Sequence, residues 1–144
     1  MASRKIKKIL VPLDGSKHSM DGLHEAIEIA KPFGARITGL CVIPSTPPIP
    51  VIESSQASFK SSMTDGAAKT MAEAKKVASR NDVEFQGKLV CGDASLEIAN
   101  FANAKKYDLI VIGSRGRSGL KELFLGSVAN AVVHRSQVPV LVIK

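Results

Sequence analysis

Residues 107–143 read YDLIVIGSRGRSGLKELFLGSVANAVVHRSQVPVLVI and contain the pattern that decides the fold. Two apolar runs, at 107–113 and 138–143, flank a glycine-rich segment and a stretch of helical periodicity at 127–135. Both runs are almost continuous in Val, Ile and Leu, which is typical of strands covered by helices on both faces, as in a parallel sheet. This stretch therefore predicts a strand, a helix and a second, parallel strand.

The same alternation extends back to the start of the chain. Residues 6–11, 36–43 and 83–91 are further strand-like runs, and 59–79 and 95–105 have helical periodicity. A first helix lies between Ser16, a plausible N-cap, and Gly34, a plausible C-terminal glycine. Strands that alternate with helices imply right-handed crossovers. The sequence thus predicts an α/β fold with an open, parallel, five-stranded sheet and helices on both faces.

Helical spacing also predicts which side chains face the core and which residues cap the helices. Ser95 is the expected N-cap of the third helix. The side chains expected to point inward are Met20, Leu23, Ile27, Ala30 and Phe33 in the first helix, Leu96, Ala99 and Ala102 in the third, and Val128, Ala131 and Val132 in the last.

Length and composition are those of one globular domain. The chain has 144 residues, of which 44% are hydrophobic and 23% charged, so we expect a single domain over 1–144. No apolar run approaches the ~20 residues of a membrane-spanning helix, and no export signal is visible. We expect a cytoplasmic protein without a membrane partner, in which Cys41 and Cys91 are reduced, buried and inert.

The chain is basic, with a net charge of +7, which would favour a phosphate-bearing partner. Along the sequence the basic residues are dispersed, apart from a cluster of Arg4, Lys5, Lys7 and Lys8. With one Tyr and no Trp, few side chains are available for stacking on bases. We therefore do not expect nucleic acid to be the primary ligand.

The functional residues are expected where the strands end, because ligands of open α/β sheets bind at the carboxyl ends of the strands. The first strand is followed by Asp14, and the fourth by the segment 113–127, which contains Gly113, Gly116, Gly119 and Gly126. Glycines let backbone N–H groups approach anionic oxygens, and the helix that opens at Ser127 favours phosphate at its N terminus. Arg115 and Arg117 add positive charge. The alternative is an ordinary glycine-rich turn with an N-cap at Ser127.

Other features suggest binding rather than catalysis. The three histidines, His18, His24 and His134, fall within helices and not after strands, which favours packing or surface roles. Asp93 follows the third strand without an evident carboxylate partner. We expect slow turnover at most. The proline-rich segment 44–56 is predicted to be either a surface connection or a flap over a ligand.

The glycine spacing resembles the pattern of the universal stress protein family, carried here by Gly113, Gly116, Gly126 and Ser127. The segments ILVPLDGS and VPVLVIK and the chain length also resemble that family. The resemblance implies a Rossmann-like sheet of order 3-2-1-4-5 and a homodimer. The intact glycine motif implies the ATP-binding subgroup, and hence a nucleotide-dependent regulatory protein of the stress response. Mg²⁺ would be held mainly by the nucleotide phosphates.

The resemblance also implies roles for individual residues. The motif residues would hold the phosphates and ribose, with Arg115 and Val128 beside them, and Pro12, Leu13 and Val42 would line the adenine pocket. Asp14 would accept a hydrogen bond from the nucleoside, although a turn or cap role before the first helix is the alternative. Another possible function is a dimeric interaction module that binds phosphate or another small anion.

The dimer contact is expected at the strand predicted for 138–143. In the implied sheet order this strand is at an edge, and an apolar edge invites pairing with a second copy around a two-fold axis. The contact would centre on Val140, Leu141 and Val142. The alternative is a monomer whose edge is blunted by Lys144.

Overall fold

The computed structural model describes residues 5–45, 53–115 and 125–144. Five strands and four helices alternate along these residues. The strands are β1 (Lys8–Pro12), β2 (Arg36–Ile43), β3 (Phe85–Cys91), β4 (Leu109–Gly113) and β5 (Val140–Ile143). The helices are α1 (Lys17–Phe33), α2 (Glu53–Arg80), α3 (Ala94–Ala104) and α4 (Ser127–Arg135).

The strands form one parallel sheet in the order β3-β2-β1-β4-β5, which confirms the predicted fold class and strand order. The chain moves outward from β1 to β2 and β3, then crosses back to β4 on the other side of β1. The β1–β4 boundary is therefore the switch point of the sheet. We call the end where the strands finish the carboxyl edge and the opposite end the amino edge.

Each face of the sheet is covered by its own core, because successive side chains of a strand point to opposite faces. Ile9 and Val11 of β1 contribute to the core that includes Leu23 of α1 and Ala74 of α2. Leu10, between them, contributes to the second core, formed with the helices α3 and α4. The pattern explains why β1 has no polar side chain after Lys8, its first residue.

Four of the five strand starts were predicted two residues too early, because buried side chains precede those strands or pack beside them, whereas β2 begins at Arg36 as predicted. Val83, Tyr107 and Val138 are buried, and Ile6 packs on the first core, but none of them lies in a strand. Apolar burial made these residues resemble strand residues, whereas the strands are defined by backbone pairing that begins two residues later.

Helix α2 begins at Glu53 and not at Phe59, so the prediction of an irregular segment over 44–56 is wrong for its last four residues. The prolines that exclude a helix end at Pro50, and nothing after them prevents one. Residues 46–52 lie outside the described residues, and so does most of the predicted flap. Helix α2 is long but polar, and among the described helices none is both long and apolar enough to span a membrane.

The caps of α1 are confirmed, and the N-cap predicted for α3 is wrong by two residues. Ser16 accepts a hydrogen bond from the Ser19 backbone N–H, and Gly34 is left-handed with φ of 63°. Helix α3 is capped by Asp93 and not by Ser95. Helix α4 begins at Ser127 as predicted, but its cap is Gly126.

Three side chains predicted to be buried are exposed. Phe33 is 53% exposed, because it lies in the last turn of α1 where the helix reaches the amino edge. Leu96 is 37% exposed in the first turn of α3. Cys91 is exposed at the end of the edge strand β3, whereas Cys41 in β2 is buried as predicted.

Candidate functional site

A cavity of about 280 Å³ opens at the carboxyl edge, at the switch point of the sheet. The ends of β1 and β4, the start of α3 and the start of α4 contribute to its wall. Parallel strands bring their carboxyl ends to one edge, and crossovers in opposite directions leave a crevice between β1 and β4. The position of the cavity therefore follows from the topology.

Nine of the ten predicted site residues line this cavity. The tenth, Gly116, lies outside the described residues, as do Arg117 and Gly119. The nine are Pro12, Leu13, Asp14, Val42, Gly113, Arg115, Gly126, Ser127 and Val128.

Seven further residues line the cavity and were not predicted: Ser19, Leu40, Ala94, Ile98, Ile112, Ser114 and Ala129. Most are apolar or small, so they carry no chemical motif. Ser114 is the exception, because it directly follows β4 and could have been selected by the same rule that selected Gly113. The α3 residues could not have been found, since nothing local indicates that α3 closes this cavity.

The two sides of the glycine-rich segment meet beside the cavity. The Gly126 N–H donates to the Ser114 carbonyl at 2.7 Å, and the Ser114 N–H donates to the Ile143 carbonyl at 2.7 Å. Ser114 is only 6% exposed, so these bonds are shielded from water. The segment therefore leaves β4 and returns to α4 at one place.

The N terminus of α4 faces the cavity through Ser127, Val128 and Ala129. Its cap residue is Gly126, which has no side chain that could accept a hydrogen bond from the first N–H groups of the helix. The first N–H groups of a helix have no acceptor within the helix, and the dipole places partial positive charge there. Arg115 lies on the same wall. This part of the cavity is therefore suited to an anionic group.

The opposite part of the cavity is apolar. Leu13 and Leu40 are buried at the ends of β1 and β2, and the Leu13 N–H donates to the Leu40 carbonyl at 2.9 Å, which fixes their relative position. Ile98 of α3 and Ile112 of β4 complete this wall. An apolar surface beside a polar one is typical of small-molecule sites.

Asp14 forms the turn that was considered as its alternative role, and it also lines the cavity. Its Oδ1 accepts from the Ser16 N–H at 2.9 Å, which forms the turn before α1 that Gly15 completes with φ of 83°. Ser19 Oγ in turn accepts from the Asp14 N–H at 3.4 Å. The residue is exposed and lines the cavity. The turn role is thus observed, and it leaves the carboxylate at the cavity.

Gly113 has a packing role that the motif alone does not reveal. A Cβ placed on Gly113 would lie 2.6 Å from the His18 carbonyl oxygen, which belongs to the α1 backbone. A Cβ placed on Gly22, one turn further along α1, would lie 3.5 Å from the Gly113 nitrogen. Close approach of α1 to β4 requires glycine at 113, so this position supports the fold as well as the cavity.

Asp93 is a cap and not a cavity residue. Its Oδ1 accepts from the Ser95 Oγ at 2.7 Å and from the Ser95 N–H at 3.0 Å. These hydrogen bonds, with a smaller contribution from Arg135, hold the pKa of the carboxyl below its usual value. His18 and His24 lie in α1 and His134 lies in α4, as predicted, and none of the three lines the cavity.

The sheet order and the switch-point cavity define an open, Rossmann-like α/β protein. Comparison with known proteins then identifies the family: the model of the universal stress protein family matches residues 5–144, and the chain belongs to that family. It is 35% identical over 139 residues to universal stress protein MJ0531 of Methanocaldococcus jannaschii, covering 96% of this chain and 82% of that protein.

Solved structures agree with this assignment. The structure of MJ0577 from the same organism superimposes with a TM-score of 0.87 at 30% identity, over 98% of this chain and 97% of that chain. A universal stress protein in complex with cAMP gives 0.76 at 24% identity, over 98% and 99% of the two chains. One from Archaeoglobus fulgidus in complex with dAMP gives 0.70 at 22% identity, over 98% and 100%.

Proposed function

We propose that this chain binds ATP in the switch-point cavity and acts as a nucleotide-dependent regulatory protein of the stress response. The observation that carries the proposal is the form of the cavity, an apolar wall facing a helix N terminus whose cap residue is a glycine. In this proposal residues 1–144 act as one nucleotide-binding domain in the cytoplasm.

Each part of a nucleotide has a matching part of the cavity. Leu13, Val42 and the neighbouring apolar wall would take the adenine, and Asp14 would accept from the ribose hydroxyls. The N terminus of α4, with Ser127 and Arg115, would take the phosphates through N–H groups and charge. Mg²⁺ would be held mainly by the phosphate oxygens. The family members solved with cAMP and dAMP support an adenine nucleotide as the ligand.

A second candidate function is a dimeric interaction module that binds phosphate or another small anion. One observation favours it: a helix N terminus attracts anions whether or not a base is attached. The cavity volume of about 280 Å³ is near the lower end of the ~300–1,000 Å³ of ligand sites. Under this alternative the apolar wall would contribute no binding energy.

Both candidates include a homodimer formed through β5. This strand is at an edge of the sheet, and Leu141 is 38% exposed. Pairing of two β5 strands around a two-fold axis would satisfy the free backbone groups of both edges and cover Leu141 with its neighbours Val140 and Val142.

Calorimetry with ATP, AMP and inorganic triphosphate separates the two candidates. The first predicts that ATP binds more tightly than triphosphate, because the base adds apolar burial. Equal affinity for ATP and triphosphate would support the anion-binding module, and no heat with millimolar ATP and Mg²⁺ would contradict the first proposal. Mass spectrometry of small molecules released from freshly purified, denatured protein gives an independent test.

Variants of Asp14 locate the nucleoside end of the ligand. Asp14→Ala should weaken ATP binding more than triphosphate binding if the carboxylate contacts the ribose. Because Asp14 Oδ1 also holds the turn before α1, Asp14→Asn is the matched control: its amide oxygen can still accept from the Ser16 N–H. If Asp14 acts only in the turn, each variant should show the same change in affinity for ATP as for triphosphate.

A further inference from the structure

The amino edge, opposite the cavity, carries most of the excess charge of the chain. Four basic residues lie at the starts of β1 and β2: Lys5, Lys7, Lys8 and Arg36. Four more lie where the helices end: Lys31, Arg80, Lys105 and Lys106. We call these eight residues the basic face.

Few acidic residues offset this charge. Asp82, Glu84 and Asp108 lie at the same edge, and Glu28 forms an ion pair with Lys31 at 3.0 Å, so eight positive charges face four negative ones, whereas the rest of the sequence holds twelve and nine. Asp108 is engaged at the start of β1, since its Oδ2 accepts from the backbone N–H groups of Lys7 and Lys8 at 2.9 and 3.0 Å. Four of the seven net positive charges therefore lie on this edge.

Direct contacts bring the centre of the basic face together. Lys8 and Arg36 are paired residues of adjacent strands, and the Arg36 N–H donates to the Lys7 carbonyl at 3.0 Å. The Lys8 ammonium donates to the Lys105 carbonyl at 2.5 Å and lies 4.5 Å from the centre of the Tyr107 ring. Residues from three distant parts of the sequence thus form one surface.

Helix ends account for only part of this charge. Basic side chains at helix C termini offset a partial negative charge of about 0.5 at each end, which gives the four helix-end residues a structural reason. The four residues at strand starts have no such reason. Lys5, Lys7 and Arg36 are exposed, and Lys8 is half-buried. After the helix dipoles are included, the basic face remains positive.

We propose that the basic face binds the phosphate backbone of duplex nucleic acid, without sequence preference. Backbone contacts alone need cations and no aromatic side chains. Phe33 is the exposed aromatic side chain among residues 5–45, 53–115 and 125–144, and one ring does not make the stacking platform of a single-strand site. An anionic membrane is less favoured, because stable binding there needs an apolar or lipid anchor besides the charge.

This site is separate from the cavity. The strand β1 has five residues and so places about 17 Å between the two edges. Duplex binding therefore does not depend on the proposed nucleotide function, and saturating ATP should not displace the duplex. Competition by ATP would place the duplex at the cavity and overturn the proposal.

The test is fluorescence anisotropy with a labelled duplex of mixed sequence and the full chain, at salt concentrations from about 0.05 to 0.2 M. The variant Lys7→Ala/Arg36→Ala/Lys105→Ala removes three exposed cations of the basic face. The matched control Lys60→Ala/Lys69→Ala/Lys88→Ala removes three exposed cations elsewhere and has the same net charge. Thermal unfolding of both variants checks that they are folded.

We expect the basic-face variant to lose more than about tenfold in affinity, and the slope of log K against log salt to fall by about 1 for each phosphate contact removed. The control should keep the wild-type slope. Equal losses in both variants, or no duplex binding by the wild type at low salt, would overturn the proposal. Binding to vesicles rich in phosphatidylserine without duplex binding would assign the face to membranes instead.

Discussion

At the scale of single residues, Gly126 is the position where a side chain can be added to the cavity wall without straining the backbone. Its φ of −61° and ψ of 158° are accessible to any residue, so a side chain there causes no backbone strain. We expect Gly126→Val to abolish ATP binding because its methyl groups would occupy the phosphate side of the cavity. The measurement is calorimetry together with a thermal melt that shows the protein still folded.

Gly66 supplies the control for this variant. It lies in α2, and a Cβ there would meet nothing within 4 Å, so Gly66→Ala should keep ATP binding and stabilise the helix by roughly 0.5–1 kcal/mol. Normal ATP affinity in Gly126→Val would remove this residue from the site.

Gly113 is unsuitable for the test, since any side chain there collides with the α1 backbone. Gly116→Val should also abolish binding, although that residue lies outside the described part of the chain.

A second residue-scale prediction concerns pH. The Ser95 hydrogen bonds lower the pKa of Asp93 in the folded protein, so the charged carboxylate favours the folded state. This contribution is complete above the unfolded pKa and is lost as the pH falls through the lower, folded pKa. Asp93→Asn should therefore lower the melting temperature at neutral pH, and the difference from wild type should shrink in acid. A difference that is constant with pH would mean that the charge contributes nothing.

At the scale of elements, hydrogen bonds to the buried Thr38 hydroxyl connect β2 with β3 and with the residues before β4. Tyr107, just before β4, donates its hydroxyl to Thr38 Oγ1 of β2 at 2.8 Å, and Gln86 Nε2 of β3 donates to the same oxygen at 3.2 Å. Tyr107→Phe keeps the ring and removes the donor. We expect a loss of about 0.5–1.5 kcal/mol in the free energy of unfolding, measured with urea.

The double variant Tyr107→Phe/Gln86→Ala shows whether the two donors act together. Removing both leaves the buried Thr38 hydroxyl without either partner, which costs more than the two single losses added. Strict additivity would contradict a shared network.

At the scale of the whole molecule, the proposed dimer is best tested by a point substitution in β5. Deleting residues after Gln137 would remove the Ile143 carbonyl that accepts from Ser114, and with it part of the cavity wall. Leu141→Glu instead places charge on the exposed edge, and like charges would face each other across the two-fold axis. We expect a monomer by light scattering, with ATP binding retained.

Val133→Glu is the matched control for the dimer. Val133 is 42% exposed, compared with 38% for Leu141, and belongs to α4 and not to the edge strand. This variant should remain a dimer. A Leu141→Glu protein that stays dimeric would place the interface elsewhere.

The alternation of strands and helices, and the residues that end each strand, could be predicted from the sequence alone. Apolar runs and helical spacing report which faces are buried, and parallel strands must bring their carboxyl ends to one edge. That rule selected Asp14 and the segment 113–127, and the family resemblance added Pro12, Leu13 and Val42; the nine described site residues line one cavity. Their assignment to parts of a nucleotide remains a prediction.

Only the tertiary structure decided which surfaces meet, because that depends on neighbours distant in the sequence. It exposed Cys91 by placing β3 at an edge, closed the cavity with Ile98 of α3, and set the His18 carbonyl against Gly113. It also gathered basic residues that are dispersed along the chain onto the amino edge. A local pattern records the burial of a side chain, whereas the contacts of that side chain are fixed only when the chain folds.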